Sequence, residues 1–514
     1  MRLRKWMGFM LAIAAGGMLL TQTGHAQTNK EIRIYLDGQR IDSDVPPYIK
    51  PKVGFTMVPV RVVSQGMGAT VAWTQKSQTV TVNRNGVSIV MKVGQNTATA
   101  GGKTVALDAP PELNRGRVMV PLRFIGESLG LQVEWNAANR WIQLNSKSGH
   151  EIKGAWVSTV YNLDWPSAAS YGQPEKQKQE YAAMLDDLQS MGINAVYVQV
   201  RSAADALYPS KLAPWSKVLT GTPGKDPGYD PLAFMIEETH RRGMQFHAWF
   251  NPFRAYTSAA SKKELPAGHA AVEHPEWIVE AGGIGYLNPG IPEARQHIID
   301  AIVEVAKRYP VDGIHLDDYF YPSDGNFDDE AAFQAYNDRH FANKGDWRRA
   351  NINDFVRKLG VAVHAANPRL AYGISPFGVW RNQADDPAGS ATRASVTAYD
   401  DMYADVRTWI RGKWIDYVMP QLYWSMDYPA AEYDKLADWW ADQVDGTGVK
   451  LYIGHAPYKL GTKETGWQSA EEIVNQLIYN ESRPQVRGDV FFSAKDLRRN
   501  PLQVADALRA YYQR

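Results

Sequence analysis

From Gly154 to the C-terminus, short apolar segments alternate with longer amphipathic ones, and that alternation restricts the fold more than any other property of the chain. Strand-like segments are read at Ala155–Val160, Ala195–Val200, Gln245–Phe250, Gly313–Asp317, Leu370–Ile374, Tyr417–Leu422, Leu451–Gly454 and Asp489–Ser493. Helical periodicity fills the gaps at Lys176–Ser190, Leu232–Arg242, Glu293–Arg308, Ile352–Ala366, Ala431–Ala441, Ala470–Asn480 and Leu502–Tyr511. A helical crossover returns the chain to the same end of the sheet, so such strands pair in parallel. Eight of them across residues 150–514 predict an α/β fold, a (β/α)8 TIM barrel. The rival, an open doubly wound sheet, usually carries a glycine-rich loop after its first strand. Here that strand runs into Tyr161-Asn162-Leu163-Asp164-Trp165-Pro166, which has no glycine.

A tandem repeat precedes the barrel. Met57-Val58-Pro59-Val60-Arg61 recurs as Met119-Val120-Pro121-Leu122-Arg123, and the same spacing pairs Gly68 with Gly130, Val71 with Val133 and Trp73 with Trp135. Each copy predicts a strand, a helix (Val60–Met67 and Leu122–Leu129), then two alternating strands (Thr70–Trp73 with Thr79–Val82, and Gln132–Trp135 with Trp141–Leu144). The result is a small tandem α+β module over residues 30–146. It resembles the copper amine oxidase N-terminal-like domain of exported bacterial proteins. None of the chain's 11 histidines falls within it and the chain has no cysteine, so His/Cys copper ligation is unavailable. The module reads equally as an attachment to cell-wall polymer or as a folded spacer.

Residues 1–26 read as a signal peptide: Arg2, Arg4 and Lys5, an apolar run from Trp6 to Leu20, and a cut after Gly24-His25-Ala26. The run is short for a membrane span. Removing this segment takes away three basic residues and no acidic ones, moving the formal net charge from +1 to −2. The mature protein is therefore expected to be extracellular or wall-associated, with no membrane segment. Near-neutrality argues against a nucleic-acid binder that relies on overall positive charge. Absence of cysteine excludes disulfides and a thiol nucleophile.

Polar and aromatic residues gather where the strands end, the rim at which barrel enzymes place their chemistry. Gln199, Arg201 and Asp205 follow the second strand, and His247, Trp249, Asn251 and Arg254 the third. The fourth ends His315-Leu316-Asp317-Asp318-Tyr319. Trp380 and Arg381 lie beyond the fifth, Gln421, Tyr423 and Trp424 end the sixth, and His455 ends the seventh. Alternation puts His315, Asp317 and Tyr319 on one face. An ionised Asp inside a barrel is costly unless paired or working, so Asp317 reads as a catalytic carboxylate or as the partner of Arg201, Arg254 or Arg381. Asp318 reaches the cleft only if the strand has already ended. His247 and His455 read equally as core histidines or substrate contacts. Trp165, Trp249, Trp380 and Trp424 sit beside strand ends, where flat rings suit the C–H faces of sugars.

Gln199-Val200-Arg201, Trp249-Phe250-Asn251-Pro252-Phe253-Arg254, Asp312-Gly313-Ile314-His315-Leu316-Asp317-Asp318-Tyr319-Phe320-Tyr321-Pro322, Ile374-Ser375-Pro376-Phe377-Gly378 and Pro420-Gln421-Leu422-Tyr423-Trp424 together resemble the glycosyl-hydrolase-like 10 family. The resemblance covers residues 150–512. It implies a (β/α)8 fold and glycosidase chemistry on peptidoglycan-type glycan or a related polysaccharide; no cofactor or metal is expected. Gly313-Ile314-His315-Leu316-Asp317 also resembles the strand-four segment of α-amylase-like barrels, whose final Asp is the nucleophile. In those enzymes an Arg usually stands where this chain has His315. The chitinase-type motif is a poorer match, with Tyr319 in place of its acid Glu.

Glycoside cleavage uses one protonated and one ionised carboxyl. The sequence suggests Asp317 as the ionised group, held by His315, Tyr319 and an Arg. Asp318 is the first choice for the acid, ahead of Asp205, Asp164, Asp427 and Asp496. Arg201, His247, Asn251, Arg254, His315, Tyr319, Trp380, Arg381, Gln421, Tyr423 and Trp424 are the expected substrate contacts. A non-catalytic glycan-binding barrel, a metal-dependent hydrolase using His247, His315 and Asp317, and a structural wall protein are the competing readings.

Overall fold

The computed structural model describes residues 32–513, apart from 37–38, 51–53, 67–68, 85–86, 130, 137–140, 147–150, 319 and 324–325. The segment read as a signal peptide, together with Gly68, Gly130 and Tyr319, lies outside the described residues. The chain divides into two compact units, a small N-terminal one and the barrel.

In the N-terminal unit the repeat is visible as strand pairing. The strand Thr56–Pro59 lies antiparallel to Arg117–Pro121, with Pro59 opposite Met119, Val58 opposite Val120 and Met57 opposite Pro121. Equivalent residues of the two copies therefore meet about a local two-fold through Val58 and Val120, and both valines are wholly buried. Each strand leads directly into a short helix, Val60–Gly66 or Leu122–Ser128. An antiparallel five-stranded meander runs from Thr70 to Ala106. The repeat does not announce its last three strands, Val87–Lys92, Thr97–Ala100 and Lys103–Ala106.

In the second unit, eight described parallel strands close a barrel: β1 (Ile152–Val157), β2 (Ala195–Arg201), β3 (Gln245–Phe250), β4 (Gly313–Leu316), β5 (Ala371–Ile374), β6 (Tyr417–Val418), β7 (Lys450–His455) and β8 (Val486–Phe491). β8 pairs back onto β1, with Gly154 opposite Val490. This is the (β/α)8 arrangement that the alternation predicts. The longest helix after each strand is, in order, α1 (Pro174–Ser190), α2 (Pro231–Arg241), α3 (Pro292–Arg308), α4 (Lys344–Ala366), α5 (Val406–Gly412), α6 (Tyr433–Val444), α7 (Glu471–Glu481) and α8 (Val504–Gln513). The first three begin on proline, whose missing N–H is no loss in a first turn. The Asp230 side chain caps α2 by accepting from Ala233 N at 3.0 Å. Helix α5, short and carrying Trp409 and Ile410 into the core, is not evident in the sequence periodicity. No helix among the described residues is long and apolar enough to cross a membrane.

Strand alternation sorts the barrel into an outer apolar layer and a mixed lumen. Val196, Val198, Phe246, Ala248, Ile314 and Leu316 face the helices. Ile152, Trp156, Ala195, Tyr197, Trp249, Tyr417, Met419, Tyr452 and Val490 fill the inside. Room for these rings comes from glycine. A Cβ on Gly373 would stand 2.3 Å from the Tyr417 ring, and one on Gly313 would stand 2.4 Å from His247 Nδ1.

Candidate active site

The lumen is polar where it approaches the C-terminal rim. His315 is fully buried and packs its ring parallel to Tyr417, with centroids 6.0 Å apart. Its Nε2 lies 3.1 Å from Trp156 Nε1, and an indole N–H only donates, so Nε2 accepts and the ring proton sits on Nδ1. Nδ1 then donates to the Tyr417 hydroxyl at 3.0 Å, while Ser375 Oγ stands 3.0 Å from Nε2. Burial, followed by the nearby His247, pushes the His315 imidazolium well below the usual histidine range. His315 is a neutral hub of the lumen, one layer beneath the acids.

Above it stand Asp317 and Asp318. Strand β4 ends at Leu316, so the two acids lie just past it, where the alternation of side chains no longer separates them. Both line one cleft of about 690 Å3. Asp317 Oδ2 accepts from Trp249 Nε1 at 3.1 Å and from Asn251 Nδ2 at 3.0 Å. Its buried Oδ1 has no partner among the described residues. Burial first, then the charge of Asp318, raises the Asp317 carboxyl to about 7, against the pull of Arg254 and the two N–H donors. Burial raises Asp318 to about 6, opposed by a hydrogen bond from Gln421, its own backbone N–H and the Arg254 charge.

The rest of the cleft is aromatic and polar. Trp156, Trp249, Tyr423, Trp424, Tyr458 and Phe492 contribute rings, and Gln199, Arg254, Ser375, Arg393 and Gln421 contribute hydrogen-bonding groups. Gln199 also holds the rim in place: its Oε1 accepts from Thr159 N at 3.2 Å and Val160 N at 2.9 Å. Asn251 fixes the other side, with its Oδ1 accepting from Arg254 N at 3.0 Å.

Of the contacts expected from sequence, the structure brings Asp317, Asp318, Arg254, Gln421, Tyr423 and Trp424 to the cleft, with Asn251 directly behind Asp317. His315 lies beneath the cleft and bonds to Trp156, Tyr417 and Ser375, so it neither lines the cleft nor holds Asp317, and four others lie elsewhere. Arg201 is wholly buried and not a cleft-lining residue. A bulge at Val200 shifts the register so that Gln199 pairs with Trp249 but Arg201 pairs with Phe250, and this turns Arg201 to the outer, helix-facing side. His247 stacks on Tyr197, with centroids 4.5 Å apart, and its Nε2 reaches Gln245 Oε1 at 3.1 Å, toward the start of β3. Burial lowers it to about 4. Trp380 is buried, stacked on Trp439 and covered by Arg407. Arg381 pairs with Asp386 and Asp400 at 3.1 and 2.8 Å.

The reserve acids are also committed. Asp164 accepts from Ser158 N, Ser493 Oγ and Lys495 N. Asp205 accepts from the N–H groups of Ser202 and Ala203, and Asp496 pairs with Arg499. Asp427 is exposed and does not line the cleft. His455 bridges Gln476 and Asp489 at 2.8 and 2.7 Å, away from the cleft, and Trp165 is buried against Tyr181. His247, His315 and Asp317 do not converge, and among the described residues no three His, Asp or Glu groups stand close enough to hold a metal ion. Sequence reasoning missed Trp156, Arg393 and Phe492 as lining residues. Inward parity on β1 and β8 was the available signal for Trp156 and Phe492, whereas Arg393 lies on a long loop with no periodicity.

Comparison with known proteins places this geometry in a family. The family model for glycosyl hydrolase-like 10 matches residues 151–469, and that for the copper amine oxidase N-terminal domain matches residues 35–144. Glycosyl hydrolase YngK of Bacillus subtilis (strain 168) is 50% identical over 368 residues, which cover 71% of this chain and 72% of that protein. Glycosyl hydrolase DigH of Escherichia coli (strain K12) is 41% identical over 382 residues, covering 70% and 86%. Among solved structures, the PgaB (BpsB) glycoside hydrolase domain from Bordetella bronchiseptica aligns with a TM-score of 0.47 and 14% identity, covering 70% of this chain and 98% of that one. The chain belongs to the glycosyl hydrolase-like 10 family.

Proposed function

We propose that this protein is an exported glycoside hydrolase that cleaves glycosidic bonds in bacterial cell-wall glycan of the peptidoglycan type, or in a closely related polysaccharide. One observation carries the reading: Asp317 and Asp318 open together onto a ring-lined cleft, with proton affinities raised to about 7 and about 6. Glycosidases of this kind need one carboxyl protonated and one ionised at the same time. The sequence suggests Asp318 as the acid. Deeper proton retention by Asp317 reverses those roles. In this reading Asp317 gives its proton to the leaving glycosidic oxygen as the bond to the anomeric carbon breaks. The ionised Asp318 supplies the negative charge that stabilises the positive charge developing on that carbon, and a water molecule then adds to the carbon and gives up a proton that restores Asp317.

Two features favour a wall glycan. Rings at Trp156, Trp424 and Tyr423 suit the apolar faces of a pyranose chain. Arg254 and Arg393 line the same cleft, and their positive charge is complementary to a sugar whose lactyl carboxylate is left free once peptides are removed. Export rests on the basic, apolar and small-residue pattern of residues 1–26, and the N-terminal module would hold the enzyme at the wall.

The test is release of soluble oligosaccharides from peptidoglycan stripped of its peptides, with the intact wall and other polysaccharides in parallel. Asp317→Asn is expected to abolish release while the fold is kept. Saturable binding without release by the unmodified protein would make the barrel a glycan-binding groove and overturn the enzymatic reading.

A further inference from the structure

A second cleft, of about 410 Å3, borders the one that holds the two acids, and Val160 and Tyr161 line both. Tyr161 is 70% exposed, unusual for so large a ring. Its backbone lies in the left-handed region at φ 58°, and Asn162 follows at φ 53°. A non-glycine residue held there is strained, and such strain persists only where surrounding contacts impose it. The contacts are visible. Asn162 Nδ2 donates to Pro166 O at 2.8 Å and to Val218 O at 2.9 Å, and its Oδ1 accepts from the Tyr171 hydroxyl at 2.6 Å. Val218 and Tyr171 are themselves walls of the second cleft. The loop after β1 is thus tied down from the second cleft while its ring stands free at the boundary.

The geometry points to an extended saccharide-binding site: a glycan chain runs from the acids across Tyr161 into the second cleft, where further sugar units bind. This rests on the glycosidase reading and adds to it the place where the glycan strand continues beyond the acids. Continuity between the two clefts is what identifies the occupant. The second cleft is ring-lined like the first, with Tyr171 and Trp215 on its walls and Lys217, Thr257 and Ser258 among its polar residues. Rings with a few convergent polar groups are the chemistry that holds sugars.

The experiment separates binding from cleavage. Affinity of the Asp317→Asn protein is measured by titration calorimetry for peptide-free glycan fragments of increasing length, disaccharide to octasaccharide. Cleavage of the same fragments by the unmodified protein is followed in parallel. The expected result is affinity that rises with length. Adding Tyr161→Ala or Ala260→Trp should lower the long-to-short affinity ratio about fivefold to tenfold, and Tyr161→Phe should preserve it. Ala260 is an exposed wall residue of the second cleft, so the tryptophan fills that cleft without disturbing the core. A length-independent affinity, or a ratio untouched by both variants, would overturn the proposal. Length-dependent binding through Tyr161 with no cleavage of any fragment would uphold this site while sinking the glycosidase reading.

Discussion

Asp317 and Asp318 are neighbours in the chain, yet both reach the same cleft, because β4 stops at Leu316 and releases the backbone from its alternation. The arrangement couples their titration: the charge on Asp318 is, after burial, the largest cause of the raised proton affinity of Asp317. With Asp318 near about 6 and Asp317 near about 7, one proton is shared at near-neutral pH. Activity should therefore follow a narrow bell. It falls in acid as Asp318 takes up its proton and in base as Asp317 loses its own. The check is kcat/KM against pH, and a profile flat from pH 5 to pH 9 would remove the pair from the chemistry. Burial pushes His315 well below the usual histidine range, so the basic limb is not its titration.

The same shift makes a stability prediction of opposite sense. A carboxyl whose folded-state affinity is raised favours folding only while protonated. Its contribution is fully present below the unfolded value of 3.8 and is lost as pH rises through the folded value of about 7. Asp317→Asn keeps the acceptor for Trp249 and Asn251 but cannot ionise. It should unfold at a higher temperature than the unmodified protein at pH 8, by on the order of 2 kcal/mol of stability, with the difference vanishing near pH 4. Thermal melts at the two pH values measure it. Equal melting at pH 8 would mean that Asp317 ionises freely in the folded state.

Arg254 opposes the raised affinity of both acids. Its Nε donates to Ser202 O at 2.9 Å, which holds the guanidinium at the edge of the cleft. Arg254→Met keeps the length of the side chain and removes the charge. Both limbs of the pH profile should then move to higher pH, by about half a unit or more. An unshifted profile with a raised KM would instead assign Arg254 to substrate binding alone.

The barrel was legible because its signal is distributed over strands with apolar outer faces, each separated by a helix. Local breaks in that pattern were not legible. Helix α5 is too short to show a period, and the bulge at Val200 carries no mark in the sequence, so strict alternation assigns Arg201 to the lumen. The end of β4 lies one residue before the sequence suggests, and that single residue decides whether Asp318 faces the cleft. Trp380 and Arg381 follow a strand as Tyr423 and Trp424 do, but the loop beyond β5 folds them against Trp439 and Asp400, contacts between segments distant in the chain. Asn251 and Trp249 were legible as rim residues at the end of β3, but their donation to Asp317, rather than contact with a sugar, depends on a pairing between strands that the sequence does not display.

Arg201 offers a direct test of that bulge. Its three guanidinium nitrogens are buried and have no hydrogen-bond partner among the described residues. The nearby carboxylates are already engaged, Asp205 with Ser202 and Ala203, and Glu304 with Ser210, Lys211 and Arg308. Burial accordingly lowers the affinity of Arg201 for its proton. A buried charge with weak compensation is commonly replaced by an apolar residue of similar volume without loss, or with a gain of about 1 kcal/mol or more. Arg201→Met should therefore melt at the same temperature or higher and keep kcat/KM within about twofold. If Arg201 instead faced the lumen and bound substrate, as alternation alone suggests, the same variant would raise KM by about tenfold or more while melting unchanged. Measuring KM and the melting temperature on one preparation distinguishes the outward side chain from the inward one.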